Sequence, residues 1–176
     1  MNYYGAKDLA ASFRTVRKNT IQIANEIPED KYGFRATPDT RIVAETLAHI
    51  ASGTAWVHKM NGVDKITATT FEVFGGYMQD RAKFEATLTT KAAILAALET
   101  EGTSFASWLD TLSDATLAET VSFPAPLDPP TKTRFELLLG AKEHEMHHRA
   151  QLMLIERMIG IKPHLTRARE AMHAGR

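Results

Sequence analysis

Three of the chain's seven histidines fall in the run KEHEMHHRAQ, from Lys142 to Gln151. A neutral imidazole is a common ligand for divalent transition metals, and two of them one helical turn apart can meet a single ion. The same run reads His144-Glu-x-x-His148, the pattern in which a metallopeptidase helix supplies two zinc ligands and a general base. Projected at about 100° per residue, Leu137, Ala141, His144, His148, Leu152, Ile155 and Ile159 share one narrow sector. His144 and His148 therefore occupy an inward stripe, whereas His147 lies about 80° or more from its centre. Burying two imidazoles without a shared partner is costly, because each brings polar nitrogens that must be satisfied. The alternative to a metal site is a pair of core histidines, each donating to a carbonyl or carboxylate. His49 strengthens the metal case: it lies between Leu47 and Ile50, on a stripe with Ile42, Gly53 and Trp56. His58 and His164 share no such stripe, and His173 falls in the C-terminal tail.

Four long segments carry apolar residues at the three-and-four spacing of amphipathic helices, and strand signals are weak. The first runs from about Ala6 to Ala24 through Leu9, Phe13, Val16, Thr20 and Ile23, and Pro28 closes it. The second is expected to open at Thr37 as N-cap with Pro38 in the first turn. It continues through Val43, Leu47, Ile50, Thr54 and Val57 to Asn61-Gly62. Gly75-Gly76 marks a turn in a looser stretch, with a short helix predicted from Met78 to Leu88. The third long helix spans Thr90 to Leu112, and Gly102 is a place for a kink, since Gly costs about 1 kcal/mol relative to Ala there. The proline-rich stretch SFPAPLDPP must be a loop. A Thr133-x-x-Glu136 capping box opens the fourth helix, which continues to Ile159. The tail adds a short basic helix. With no repeat or second domain visible, residues 1–176 are predicted to form one all-α domain, a four-helix bundle.

Composition excludes several chemistries. The 176 residues contain no cysteine, so disulfides, thiolate metal sites and a cysteine nucleophile are ruled out. Lys+Arg and Asp+Glu are both 21, so there is no overall basic excess and no nucleic-acid partner is expected. No N-terminal leader pattern and no spanning run appear, so a cytoplasmic chain without a membrane partner is expected.

The tetrapeptide LAHI around His49, together with HEMHHRAQL from His144 to Leu152, resembles the DinB-like (YfiT-like) metal-binding four-helix bundles. The similarity extends over nearly the whole chain, including the helix lengths and the proline-containing connection before the second helix. Carried over residue by residue, it implies metal ligands at His49, His144 and His148. It also implies a homodimer and an activity of hydrolase or thiol-dependent S-transferase type. A low-molecular-weight thiol would be the cosubstrate, alongside a small-molecule substrate. Phe135 and Leu138 lie beyond the inward stripe of the fourth helix and are apolar residues for a partner to cover.

Three neutral imidazoles leave a divalent ion its full charge and an open position, the arrangement that activates a bound water and polarises a carbonyl or thiol. Zinc or nickel suits such ligands. Glu145 is the candidate general base, with a solvated helix shoulder as its alternative place. Gln151 is placed to orient a water or substrate, and Trp56 and Gly53 to shape a pocket. Glu45, one turn before His49, is placed to hold that ligand's second nitrogen. A peptidase would instead draw its third ligand from Glu170. A di-iron bundle needs a second Glu-x-x-His, which Glu45-x-x-x-His49 does not supply. A non-catalytic metal-binding or dimerisation scaffold stays open as the alternative to an enzyme.

Overall fold

The computed structural model describes residues 4–174. Seven α-helices account for most of them: α1 (Ala6–Glu26), α2 (Val43–His58), α3 (Phe71–Thr87), α4 (Lys91–Leu109), α5 (Asp114–Ala118), α6 (Arg134–Met158) and α7 (His164–Ala174). The bundle consists of α1, α2, α4 and α6. Each of α1 and α2 packs against both α4 and α6, while α3 lies on the outer side of α2. One small antiparallel hairpin, β1 (Thr120–Ser122) with β2 (Thr131–Thr133), leads into α6 and pairs Thr120 with Thr133. Its strands flank the proline-rich loop and were not anticipated from the sequence. Three residues are too few to show a period.

Several boundaries differ from expectation for identifiable reasons. Thr37–Thr40 closes a turn, with the Thr40 amide on the Thr37 carbonyl at 3.0 Å, and Arg35 bridges Ile42 in extended conformation. The turn keeps Pro38 out of the helix. α2 starts five residues later, with Ile42 as N-cap and its amide donating to Glu45 Oε2 at 2.9 Å. α3 is a full helix rather than a short one, and it contains Gly75 and Gly76. Thr70 Oγ1 caps it from the Val73 amide at 3.1 Å, and Phe74 and Tyr77 pack on Trp56 of α2. That aromatic packing offsets the two glycines. α6 begins as read, with both hydrogen bonds of the Thr133–Glu136 box formed.

The core is divided. One apolar cluster contains Ile23, Leu47, Ile50, Ala51, Ile94, Leu98, Leu152 and Ile155. The other contains Leu9, Phe13, Val57, Phe105, Leu109 and Leu138. Between them lie Arg17 of α1, Thr54 of α2, Gly102 of α4 and Glu145 of α6. Arg17 Nε and Nη2 donate to both oxygens of Glu145 at 2.8–3.1 Å, Nη1 donates to the Leu98 carbonyl at 2.7 Å, and Nη2 also reaches Thr54 Oγ1 at 3.3 Å. Gly102 leaves α4 unbroken. A Cβ there would fall 2.7 Å from Arg17 Cγ, so the glycine makes room for the arginine stem. Leu138 is fully buried in the second cluster, and Phe135 packs against it, so neither is the free apolar surface expected on α6.

Arg17→Met would strand the Glu145 charge in the core. A loss of stability of about 3–5 kcal/mol, the cost of breaking a buried pair, is the outcome expected in urea titration. A second buried acid gives a pH dependence. Glu156 is fully buried with neither carboxylate oxygen hydrogen-bonded, and burial, then Glu26, raises its pKa from 4.5 to about 7. Between those two values the folded chain holds a proton that the unfolded chain has released, so stability falls as pH rises through the window. Thermal melts at pH 5 and pH 8 should therefore differ more for the wild type than for Glu156→Gln.

Candidate metal centre

α6 carries His144 and His148 on adjacent turns, and α2 brings His49 against them. One nitrogen from each of the three rings lies within 4.8 Å of the others, and among the described residues no other His, Asp or Glu group is clustered this way. The ring centroids are 4.5 Å apart for His144–His148 and 5.0 Å for each of these with His49. His144 Nε2 and His148 Nε2 are 3.2 Å apart. Two nitrogens sharing one tetrahedral zinc at about 2.0–2.1 Å would stand about 3.3 Å apart, so this separation suits a common ion. Burial, followed by the charge of Arg81, pushes the pKa of His49 down to about 3. His144 is pushed down to about 4, by burial and then by His148, and burial also lowers His148. All three rings are therefore neutral at pH 7, as metal ligands must be.

The neighbours fix which nitrogen of each ring is available. Gln151 Oε1 can only accept, and it lies 2.8 Å from His148 Nδ1. The proton of His148 is thus on Nδ1, and Nε2 keeps its lone pair toward His144. Gln151 does orient something, but it is a ring. His49 Nδ1 has two competing partners from α3: Arg81 Nη2 at 2.8 Å and Glu85 Oε1 at 3.2 Å. Arginine only donates, so an Arg81 contact leaves the His49 proton on Nε2. A Glu85 contact moves it to Nδ1 and frees Nε2 for an ion. Arg81 Nη2 also reaches the His49 carbonyl at 2.8 Å and can keep that bond alone. The donor set fits a divalent ion once Glu85 holds the His49 proton.

Other expected residues lie elsewhere. Glu45 is at the N-terminus of α2, bonded to the Ile42 amide and 3.5 Å from Arg35, so it does not hold His49. Its place is taken by Glu85, which the sequence offered only as an Arg81–Glu85 pair four apart on a helix. Glu145 is 1% exposed and gripped by Arg17, far from the solvated shoulder considered for it. Glu170 pairs with Lys162 on the exposed face of α7 and belongs to no ligand group, which removes the peptidase arrangement. His147 is exposed, with Nε2 on the Gln151 amide at 3.2 Å. His58 stacks on Trp108, and His164 contacts Asn19. His173 is within α7, which forms the short basic helix expected of the tail.

The histidines lie between two hollows. A cavity of about 820 Å³ has His147, His148 and Gln151 on one wall and the 35–46 segment on the other. A smaller one of about 220 Å³ reaches His144 from the opposite side, past Gly53, Trp56 and Leu137. Gly53 faces the site closely, since a Cβ there would lie 3.6 Å from His144 Nδ1.

The model of the DinB superfamily matches residues 12–152. This chain belongs to the DinB superfamily. Several solved structures share the fold at low identity. An uncharacterised protein from Clostridium difficile 630 aligns with a TM-score of 0.69 at 15% identity, covering 90% of this chain and 99% of its own. A DinB-like protein of Bacillus subtilis, YjoA, gives 0.63 at 20% identity, with coverages of 86% and 91%. The colibactin self-resistance protein ClbS, crystallised with a dsDNA, gives 0.64 at 12% identity, with coverages of 89% and 98%. The ClbS complex shows that a bundle of this fold can be seated on duplex DNA, so the fold itself does not exclude a nucleic-acid partner. No curated protein matches the chain. Among the described residues no helix is long and apolar enough to cross a membrane.

Glu85 and Glu45 separate the two accounts of His49. Glu85→Ala should weaken divalent-metal affinity by about 10- to 100-fold, the usual effect of losing a carboxylate behind a ligating histidine. Glu45→Ala should leave that affinity unchanged in a competition titration with a chromophoric chelator.

Proposed function

We propose that the chain is a metal-dependent enzyme of hydrolase or thiol-dependent S-transferase type. Its divalent ion, zinc or nickel, is held by His49, His144 and His148. The observation that carries this is the convergence of three neutral imidazoles, with no carboxylate among them, beside a cavity large enough for a small molecule. An ion on three protein nitrogens keeps an exchangeable position and supplies Lewis acidity there to a water, a carbonyl or a thiol.

The chain's own residues do the remaining work. Gln151 and Glu85 hold the ring protons of His148 and His49 away from the centre. The wall of α6 and the 35–46 segment receive the substrate, and the apolar side pocket beyond Gly53 takes a second group. Glu145 does not serve as a general base, because Arg17 occupies both of its oxygens. Glu145 acts instead to position α6. The absence of cysteine suits a thiol that arrives as a cosubstrate. A cytoplasmic homodimer completes the proposal. Its support is the exposed apolar side chains of Met146 and Met158 on α6.

Elemental analysis should find one divalent ion per chain. It should be lost in His49→Ala, His144→Ala and His148→Ala and kept in His147→Ala and Glu170→Ala. Light scattering on the same wild-type preparation should give twice the chain mass. The loaded protein should hydrolyse p-nitrophenyl acetate or couple a small thiol to 1-chloro-2,4-dinitrobenzene. A fully loaded protein inert in both assays would favour a non-catalytic metal-binding scaffold, and retention of metal in His49→Ala would overturn the ligand set.

A further inference from the structure

The large cavity beside His148 has polar walls, and nearly every polar group in them is already engaged. The Arg35 guanidinium bonds the Thr40 carbonyl and lies 3.5 Å from Glu45. Glu45 also accepts from the Ile42 amide. Asp39 accepts from the Thr37 hydroxyl at 2.6 Å and does not pair with an arginine. Gln151 is shared between His147 and His148. Arg41 is the exception. Arg41 lines the same cavity, and among the described residues its side chain makes no hydrogen bond and no ion pair.

An arginine offers five donors in a planar fork, a geometry matched by carboxylate and phosphate oxygens. The rest of the lining supplies an apolar strip from Ala36, Leu154 and Ile155. We propose that this cavity takes a small organic anion, with a carboxylate or phosphate head on Arg41 and an apolar tail along Leu154 and Ile155. This rests on the cavity being the substrate entrance of the metal centre, and it names the class of molecule admitted there.

The test is isothermal titration of zinc-loaded and chelator-treated protein with hexanoate, hexyl phosphate and neutral hexanamide. A charge-assisted contact to Arg41 should make at least one anion bind about tenfold or more tighter than hexanamide. Arg41→Gln should erase that difference while leaving hexanamide binding and the melting temperature unchanged. Whichever anion shows the larger Arg41-dependent gap identifies the head group. Equal anion affinity in wild type and Arg41→Gln would overturn the inference even if zinc binds as proposed. If zinc does not bind at all but the Arg41-dependent preference persists, the metal proposal fails and the anion site stands.

Discussion

A single buried ion pair sets the geometry on which the rest of the molecule depends. Arg17 and Glu145, both nearly devoid of solvent, join α1 to α6 across the centre of the bundle. An arginine and a carboxylate taken from water cost several kcal/mol each, and only good geometry with extra hydrogen bonds returns that energy. Here the Leu98 carbonyl and the Thr54 hydroxyl supply the extra bonds, and the missing side chain of Gly102 supplies the space. A purely apolar core would permit α6 to slide or rotate by a fraction of a turn at small cost. A paired charge permits neither. Because His144 precedes Glu145 directly and His148 follows three residues later, locking Glu145 inward also fixes where both histidines point.

That rotation explains why the histidines lie at the edge of the core. The most deeply buried positions of α6 are Arg134, Leu138, Glu145, Leu152 and Glu156, while His144 and His148 flank this line on the side facing α2. They are dry enough to stay neutral and still border two cavities. α3 completes the arrangement from outside the bundle. It sets a cation and a carboxylate over the same nitrogen of His49, so the protonation of that ring depends on which neighbour engages it. The cluster and its surroundings are therefore built from four sources: two bundle helices for the three histidines, α3 for the partners of His49 Nδ1, and the 35–46 turn for one wall of the larger cavity.

The residue types of the three-histidine cluster set it apart from two other helical metal sites. A di-iron bundle needs carboxylates that bridge and balance two ions, whereas this cluster contains none. A His-Glu-x-x-His peptidase needs its glutamate free at the metal and a third ligand downstream. Here the glutamate of that motif is turned into the core and Glu170 is on the far surface. The five-residue pattern is present in the chain, but the helix is rotated so that its two histidines and its glutamate serve different purposes.

Periodicity along the sequence was sufficient for the bundle, for the cap at Thr133 and for the pairing of His144 with His148, because each depends only on residues within a few turns of one helix. His49 was also legible, since a histidine on an apolar stripe is conspicuous. Three features were not legible. Gly75-Gly76 reads locally as a turn, but packing on Trp56 carries α3 through it. Thr37-Pro38 reads as a helix start, but the bridge between Arg35 and Ile42 closes a turn first. Glu145 reads as a solvated shoulder, because its partner is 128 positions away and no local signal connects them. The sequence by itself determined the four bundle helices and the cap of the fourth, since propensity and amphipathic spacing act over short range. Tertiary structure alone decided which charges meet. Pairing Arg17 with Glu145, Glu85 with His49, and leaving Arg41 free are consequences of how helices distant in sequence come to pack.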